Sequence, residues 1–283
     1  WSRDEPSAGD VSQPPAKNRL TAEPYTKRMN SFPNVDQGSA LLITSLALAR
    51  AAGLADQCVF PWAGATNTDV APAMRLHLDD SPAIRAAAGR PFDACGVGID
   101  DIDFIDLYSC FPSAFQGGAR VICLSPDDAR GLTLTGGMPF FGGPGNNYTS
   151  HAIISAALRL RESGRLAYVA GNGGFLSKHS VGIYGSEPPP AGLRSRDTSK
   201  EQGAIDAAAL PSGSEASGEA TVVAGTVVYA RDGSVERAPV IAVLTDGTRI
   251  VANAAPSLLP SLAGSSLAGS RIAVSGSPPV YVL

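Results

Sequence analysis

Ser150-His-Ala-Ile-Ile-Ser-Ala-Ala-Leu-Arg-Leu-Arg-Glu-Ser-Gly-Arg-Leu-Ala-Tyr-Val-Ala-Gly-Asn-Gly-Gly174 contains a change of period that decides the fold. Over Ser150–Ser163 the apolar residues Ile153, Ile154, Ala157, Leu158 and Leu160 recur at helical spacing. Arg159, Arg161 and Arg165 gather near the C-terminal end, where cations favour the helix dipole. Leu166-Ala-Tyr-Val-Ala is then a short continuous apolar run, the pattern of a buried strand, and it empties into the turn Gly171-Asn-Gly-Gly. A helix feeding directly into a buried strand predicts an α/β layer.

Upstream, Thr135-Gly-Gly-Met-Pro-Phe-Phe-Gly-Gly-Pro-Gly-Asn-Asn-Tyr148 is too rich in Gly, Pro and Asn for regular structure and is expected to be a shaped loop. Ile99–Tyr108 alternates apolar and polar residues and predicts a strand, followed by a helix over Phe111–Ile122 that starts at Pro112. Ser81-Pro-Ala-Ile-Arg-Ala-Ala-Ala-Gly89 has an N-cap Ser, Pro at the first helical position and Gly to close a helix. Cys58–Gly64 predicts a short buried strand ended by Gly64, and Val35–Gly53, dense in Ala and Leu, predicts a buried helix. Residues 1–24 are polar and Pro-containing and read as an arm, or the remnant of an earlier segment.

Downstream, composition shifts at Ser186. Residues 187–215 read as a Pro-, Ser- and Ala-rich linker with one short helix around Lys200–Ala209. From 216 to 283 the pattern is β: Ala220–Arg231, Val235–Thr245, Thr248–Ala254, Arg271–Ser275 and Pro279–Leu283, with Asp232-Gly233 and Asp246-Gly247 as hairpin turns. These strands fit a small antiparallel barrel, because closure removes the edges. The expected organisation is thus an arm (1–24), an α/β domain (25–186), a linker (187–215) and a barrel (216–283).

Composition narrows the function. The 283 residues accommodate two domains, and 44% hydrophobic against 17% charged residues supports a packed core. A net charge of -4 without a basic run leaves no footprint for nucleic acid, and no apolar stretch reaches the length of a bilayer span. Cys58, Cys95, Cys110 and Cys123 lack the pairwise spacing of metal or redox motifs, so neither a metal nor a disulfide framework is expected, and a reducing cytoplasm fits best. The first residue is Trp, not Met, which suggests a fragment of a longer protein.

Four segments in order resemble the C-terminal half of a thiolase. Asn34-Val-Asp-Gln-Gly-Ser-Ala-Leu-Leu-Ile-Thr-Ser45 resembles the Asn-Asp-Gly-Ala-Ala-Ala signature. Asp103-Phe-Ile-Asp-Leu-Tyr-Ser-Cys-Phe111 resembles the strand and turn bearing Asn-Glu-Ala-Phe, or His-Asp-Cys-Phe in sterol-carrier-protein thiolases. Gly136-Gly-Met-Pro-Phe-Phe-Gly-Gly-Pro144 stands where the family has Gly-Gly and then Gly-His-Pro, and Gly171-Asn-Gly-Gly where it has a Cys, one residue and a run of Gly. The resemblance implies half of an αβαβα thiolase fold followed by a barrel similar to the oligonucleotide/oligosaccharide-binding (OB) fold. It also implies an acetyl-CoA acetyltransferase-like protein acting in lipid metabolism, no cofactor beyond a CoA thioester as substrate or ligand, and a missing N-terminal half or partner subunit. Family members are usually dimeric, so a homodimer is a further expectation.

At the site, the resemblance implies loss of the standard groups. Tyr108 stands for the family Asn or His, Gly143 for the His before Pro, and Val169 or Ala170 for the acid/base Cys; the nucleophile lies in the other half. Losing one oxyanion donor costs about 10²–10³ in rate and losing an acid/base group about 10²–10⁴, so ordinary thiolysis is not expected. The catalytic candidates are Tyr108, Cys110 and His179, set against the plainer readings of Tyr108 as a space-filling ring, Cys110 as a small buried residue and His179 as a structural one. The substrate-binding candidates are Gly142, Gly143, Asn146, Asn147, Gly171, Asn172 and Gly173, with the 136–148 loop and the 171–174 turn expected to face one another. A non-catalytic scaffold and a retro-aldol cleavage of a CoA thioester are the alternatives.

Overall fold

The computed structural model describes residues 6–14 and 16–283, and the first five residues of the expected arm lie outside the described ones. The chain divides into two compact units. The first contains Ser31–Asp69 and Asp80–Ala207; the second contains the described part of 4–30 together with Val70–Asp79 and Ala208–Leu283. Among the described residues no helix is long and apolar enough to cross a membrane.

The first unit is built on strands β1 (Phe60–Thr68), β2 (Phe104–Asp106), β3 (Leu166–Gly173), β4 (Lys178–Gly185) and β5 (Arg194–Ser195), and on helices α1 (Pro82–Cys95), α2 (Pro112–Val121), α3 (Tyr148–Glu162) and α4 (Ser199–Ala207). The sheet order is β2-β3-β4-β1-β5. The outer pairs β2–β3 and β1–β5 are parallel and the inner pairs antiparallel. Successive side chains on β3 point to opposite faces. Leu166 and Tyr168 therefore pack with Val181 and Ile183 against Ala87 and Ala88 of α1 and Ala119 of α2. Ala167 and Val169 pack against Tyr148, Ala152, Ala156 and Leu160 of α3. Small residues on the helices permit this close approach, and the result is a helix–sheet–helix sandwich.

Of the strand expected over Ile99–Tyr108 only Phe104–Asp106 forms, after a 3-10 turn at Ile99–Asp101, and three further expectations change here. The strand from Cys58 does not stop at Gly64; that glycine stays in register with Gly182 and Ser195, and β1 continues to Thr68. The helix after Ser81 does not stop at Gly89. Phe92 stacks on Tyr168 with ring centroids 5.5 Å apart, and the helix runs through Pro91 to end at Gly96, whose φ of 67° suits a glycine cap. The third change is the largest: of the helix expected over Val35–Gly53 only Leu46–Ala51 forms, with Ser45 as its N-cap. The segment before it is tied down by polar groups, Gln37 Nε2 donating to the Phe141 carbonyl at 2.7 Å and Ser39 Oγ donating to Asn147 Oδ1 at 2.7 Å. Leu42 and Ile43 are 87% and 90% exposed, so the apolar density read as burial has no cover among the described residues.

The second unit contains β6 (Ala216–Gly225), β7 (Pro239–Leu244), β8 (Arg249–Ala254), β9 (Arg271–Gly276) and β10 (Val280–Val282). Around the barrel the pairs are β6–β7, β7–β8, β8–β10, β10–β9 and β9–β6, which closes the sheet. Counting β6 as first, the order is 1-2-3-5-4-1, with four antiparallel junctions and one parallel, β8–β10, which closes the small OB-like barrel the sequence predicts. Val222, Val240, Ile250, Ile272, Val274 and Tyr281 fill the interior. The Asp246-Gly247 turn joins β7 to β8, with Gly247 at φ 88°.

The run Ala220–Arg231 is not one strand. It breaks at Gly225, where a Cβ would come within 2.9 Å of Val240. Val228–Tyr229 then forms a separate ribbon with Leu20–Ala22, Tyr25–Thr26 and Val235–Arg237. The polar N-terminal segment is thus paired structure in this unit, with Ala22 opposite Val228 and the Glu23 carboxylate accepting from the Tyr229 hydroxyl at 2.6 Å.

Candidate functional site

Strand register assembles the site. On β3, β4 and β1 the pairs Asn172↔His179 and Asn67↔His179 place Asn67, His179 and Asn172 in one row across three strands. They share the face that, one or two rungs earlier, carries Val181 and Tyr168 against α1. Apolar positions along these strands give way to amides and imidazole where the strands leave the core, and Asn67 and His179 are nonetheless buried.

Above this row lies a cavity of about 310 Å³ at the carboxyl ends of β1 and β3. Open α/β sheets characteristically place ligands at such strand ends. Among the expected residues, Tyr108, Asn146, Gly171, Asn172, Gly173 and His179 line it, together with Thr66, Asn67, Thr68, Thr149, Lys178 and Ser180. A smaller chamber of about 30 Å³, roughly the size of one water, lies behind and shares Tyr108, Gly171, Asn172, His179 and Ser180. Asn146 on the loop and Gly171–Gly173 on the turn thus meet across one cavity.

Gly142, Gly143 and Asn147 are not among the lining residues. A Cβ on Gly142 would lie 2.8 Å from Val35 Cγ1, and one on Gly143 would collide with Ser31 Oγ. Glycine at these positions permits close approach of the 31–37 segment, and the Gly143 N–H donates to the Phe32 carbonyl at 2.8 Å. Asn147 holds the same segment, accepting from Ser39 and contacting His151 Nε2 at 3.2 Å.

Cys110 also stands back from the cavity. The Asn172 amide reaches its Sγ at 3.7 Å, and Asn172 Oδ1 is a buried acceptor with no protein donor. Such a group ordinarily meets water or a ligand. Burial pushes the Cys110 thiol up, with the Asn172 contact working against it. The Tyr108 hydroxyl is likewise raised, chiefly by burial and then by Cys110, so both groups are protonated at neutral pH. Tyr108 is oriented edge-on by Tyr148, with ring centroids 5.4 Å apart at 88°.

Asp106 escaped the sequence reading. Alternation over Ile99–Tyr108 marked it as an outward polar residue, but it is fully buried at the end of β2. It accepts from the Leu134 N–H at 2.7 Å and the Tyr148 hydroxyl at 3.1 Å, and that hydroxyl contacts Thr135 Oγ1 at 2.8 Å. Thr135 Oγ1 in turn accepts from the Gly137 N–H, and Ser109 Oγ from the Met138 N–H. One carboxylate therefore anchors both the glycine loop and the ring behind Tyr108. Burial raises Asp106 to about 6, against the lowering effect of the Leu134 and Tyr148 hydrogen bonds. Thr66, Asn67, Thr68, Thr149 and Ser180 also went unread, although Thr66-Asn-Thr immediately after the apolar Trp62–Ala65 signals a strand leaving its core. Among the described residues no group of three His, Cys, Asp or Glu is placed to hold a metal ion.

Residues 202–277 match the family model of the thiolase-like protein type 1 additional C-terminal domain. The crystal structure of a monomeric SCP2-thiolase like protein type 1 from Mycobacterium smegmatis matches with a TM-score of 0.89 and 35% identity over 99% of this chain. The chain spans 62% of the length of that protein. None of the curated proteins matches it. The barrel matches a domain defined by its attachment to thiolase-like proteins, and the solved structure extends the likeness across both units; together they support a thiolase-like superfamily member.

Proposed function

We propose that the α/β unit supplies one side of an acyl-CoA-binding, thiolase-like site in the cytoplasm, and that ordinary thiolysis is not its reaction. The observation that carries this is the composition of the cavity. Tyr108, Asn172 and His179 stand at its wall, no cysteine lines it, and the nearby Cys110 is a neutral thiol held by Asn172. Acyl transfer through a thioester needs an activated thiolate and a second proton-transferring group. The test is twofold. Titration with acetyl-CoA is expected to give saturable binding, and thiolysis of acetoacetyl-CoA is expected at least ~10⁴-fold below ordinary thiolase rates. Absence of CoA and acyl-CoA binding favours the scaffold reading.

A second reading, carbon–carbon cleavage of a 3-hydroxyacyl-CoA, is favoured by the Tyr108 hydroxyl, which burial holds protonated at the cavity wall where it can donate to a developing enolate oxygen. Loss of cleavage in Tyr108→Phe with binding retained is its test. The proposed partner is a second α/β half or a subunit carrying one. Leu41, Leu42, Ile43, Leu48 and Leu158 are exposed in the first unit, which supports an apolar contact there. Co-purification of the two halves is the expected result.

A further inference from the structure

The 310 Å³ cavity has no aliphatic side chain in its wall: Thr66, Asn67, Thr68, Asn146, Asn172 and Lys178 are typical of it, and the remainder are Gly, Thr, Ser, Tyr and His. Among the described residues it has no carboxylate either. The nearest acid in sequence, Asp69, is turned to the Ser81 hydroxyl, which donates to it. Lys178 is the one lining residue with a full positive charge, and it makes no ion pair among the described residues. An alkyl chain entering this space would strip hydroxyls and amides of water without replacing their hydrogen bonds. An anionic oxygen group would find donors and a cation. The first turn of α3, which contributes Thr149, adds the favourable end of a helix dipole.

We propose that the acyl group received here ends in a carboxylate, bound by Lys178 with Asn67, Asn146 and Tyr108 as neutral donors. This rests on the reading of the ligand as a thioester. Among the described residues nothing else in the cavity supplies charge, so the preference for a terminal carboxylate over a terminal methyl depends on Lys178. The row Asn67–His179–Asn172 gives the group a hydrogen-bonding floor that strand register holds in place.

The experiment uses the full chain and N-acetylcysteamine thioesters, which carry the acyl group without the nucleotide. Succinyl and butyryl thioesters have the same carbon count and differ at the end of the chain. Titration followed by NMR is expected to show the succinyl thioester binding about tenfold tighter, the size of effect one charge-assisted hydrogen bond gives, with the advantage shrinking at high salt. Lys178→Met is expected to bring the two affinities together. Equal binding, tighter binding of the butyryl thioester, no binding of either, or a preference that survives Lys178→Met overturns the proposal. Because Lys178 is exposed, its replacement leaves the core intact, and the wild-type comparison is decisive without it. Titrating free CoA and the two CoA thioesters separates this from the broader reading. CoA compounds that bind without regard to the terminal carboxylate overturn only the acyl preference. A succinyl preference among the small thioesters, with no gain from CoA, overturns only the acyl-CoA reading.

Discussion

Five strands close the barrel and five form the sheet of the α/β unit, yet their apolar residues end in different circumstances. In the barrel, the strand order closes on itself, and the outward-facing valines such as Val223 and Val251 are 38% and 49% exposed, ordinary for single surface residues. In the α/β unit, α1 and α2 cover one face and α3 the other, but Leu42 and Ile43 stand almost fully in solvent. A sheet that closes finds its partners within a short stretch of chain. A layered sheet needs covering elements from elsewhere, and this chain leaves an apolar segment without them. The difference predicts that substitutions in the barrel act on this chain alone, whereas those in the exposed segment of the α/β unit act on association.

The largest effect is expected at Tyr281, buried at the seam where the parallel β8–β10 pair closes the barrel, with its hydroxyl donating to the Ala238 carbonyl at 3.0 Å. Tyr281→Ala leaves a cavity and an unmet carbonyl and is expected to cost the barrel about 3–5 kcal/mol. Trp62 is buried in the α/β unit and reports on that unit in a Trp1→Phe background. In urea, the Trp62 transition is expected to hold while a separate transition, followed by circular dichroism, moves to lower denaturant. If both move together, the barrel does not stand alone.

Asp106→Asn tests the α/β unit through pH. The folded Asp106 carboxyl titrates near 6, above its ordinary 3.8, so the fold holds the proton more tightly than the unfolded chain does. The contribution to stability is therefore full below about pH 4 and lost as pH rises through 6, an effect of roughly 3 kcal/mol by linkage. Thermal unfolding of the wild-type chain between pH 4 and 7 is expected to show this decline. In Asp106→Asn the slope from this group is expected to vanish, while the loop it anchors weakens at every pH.

The legible part of the fold is the part whose signal is local. The switch from helical spacing to a buried run at Leu166, the N-cap Ser81 followed by Pro82, and the Asp246-Gly247 turn all act within a few residues and all appear in the structure. What was not legible depends on partners far away in sequence. Gly64 and Gly89 read as stops, but strand register and the Phe92–Tyr168 stack carry their elements onward. Val35–Gly53 has helical composition, but polar ties to Phe141 and Asn147 fix its path. At the site, Tyr108, Asn172 and His179 could be placed by pattern. Asp106 could not, because an acid in an alternating strand looks solvent-facing until its two buried donors are known.

A smaller effect is expected at Gly171, where β3 passes the start of α3. A Cβ there would lie 2.7 Å from Ser180 Oγ and 3.1 Å from Thr149 Oγ1. Gly171→Ala should cost about 1–2 kcal/mol, since the Ser hydroxyl can rotate away but the helix cannot. Adding Ser180→Ala should restore about half of that in a double-mutant comparison; full additivity would place the strain elsewhere.

The smallest effect separates the two regions most sharply. Leu42→Ser with Ile43→Ser alters two side chains that touch little in this chain, so the melting of the isolated chain should shift by no more than about 0.5 kcal/mol. Residues this apolar and this exposed are costly for solubility, and the pair of substitutions should reduce self-association at high concentration, measured by light scattering. Should a second α/β half bind, the same variant should weaken that complex by at least tenfold, because two aliphatic side chains buried at an interface contribute far more than tenfold in affinity. A variant that lowers the melting temperature of the chain by itself as much as Gly171→Ala does would mean that the segment is already packed against this unit, and the contrast with the closed barrel would not hold.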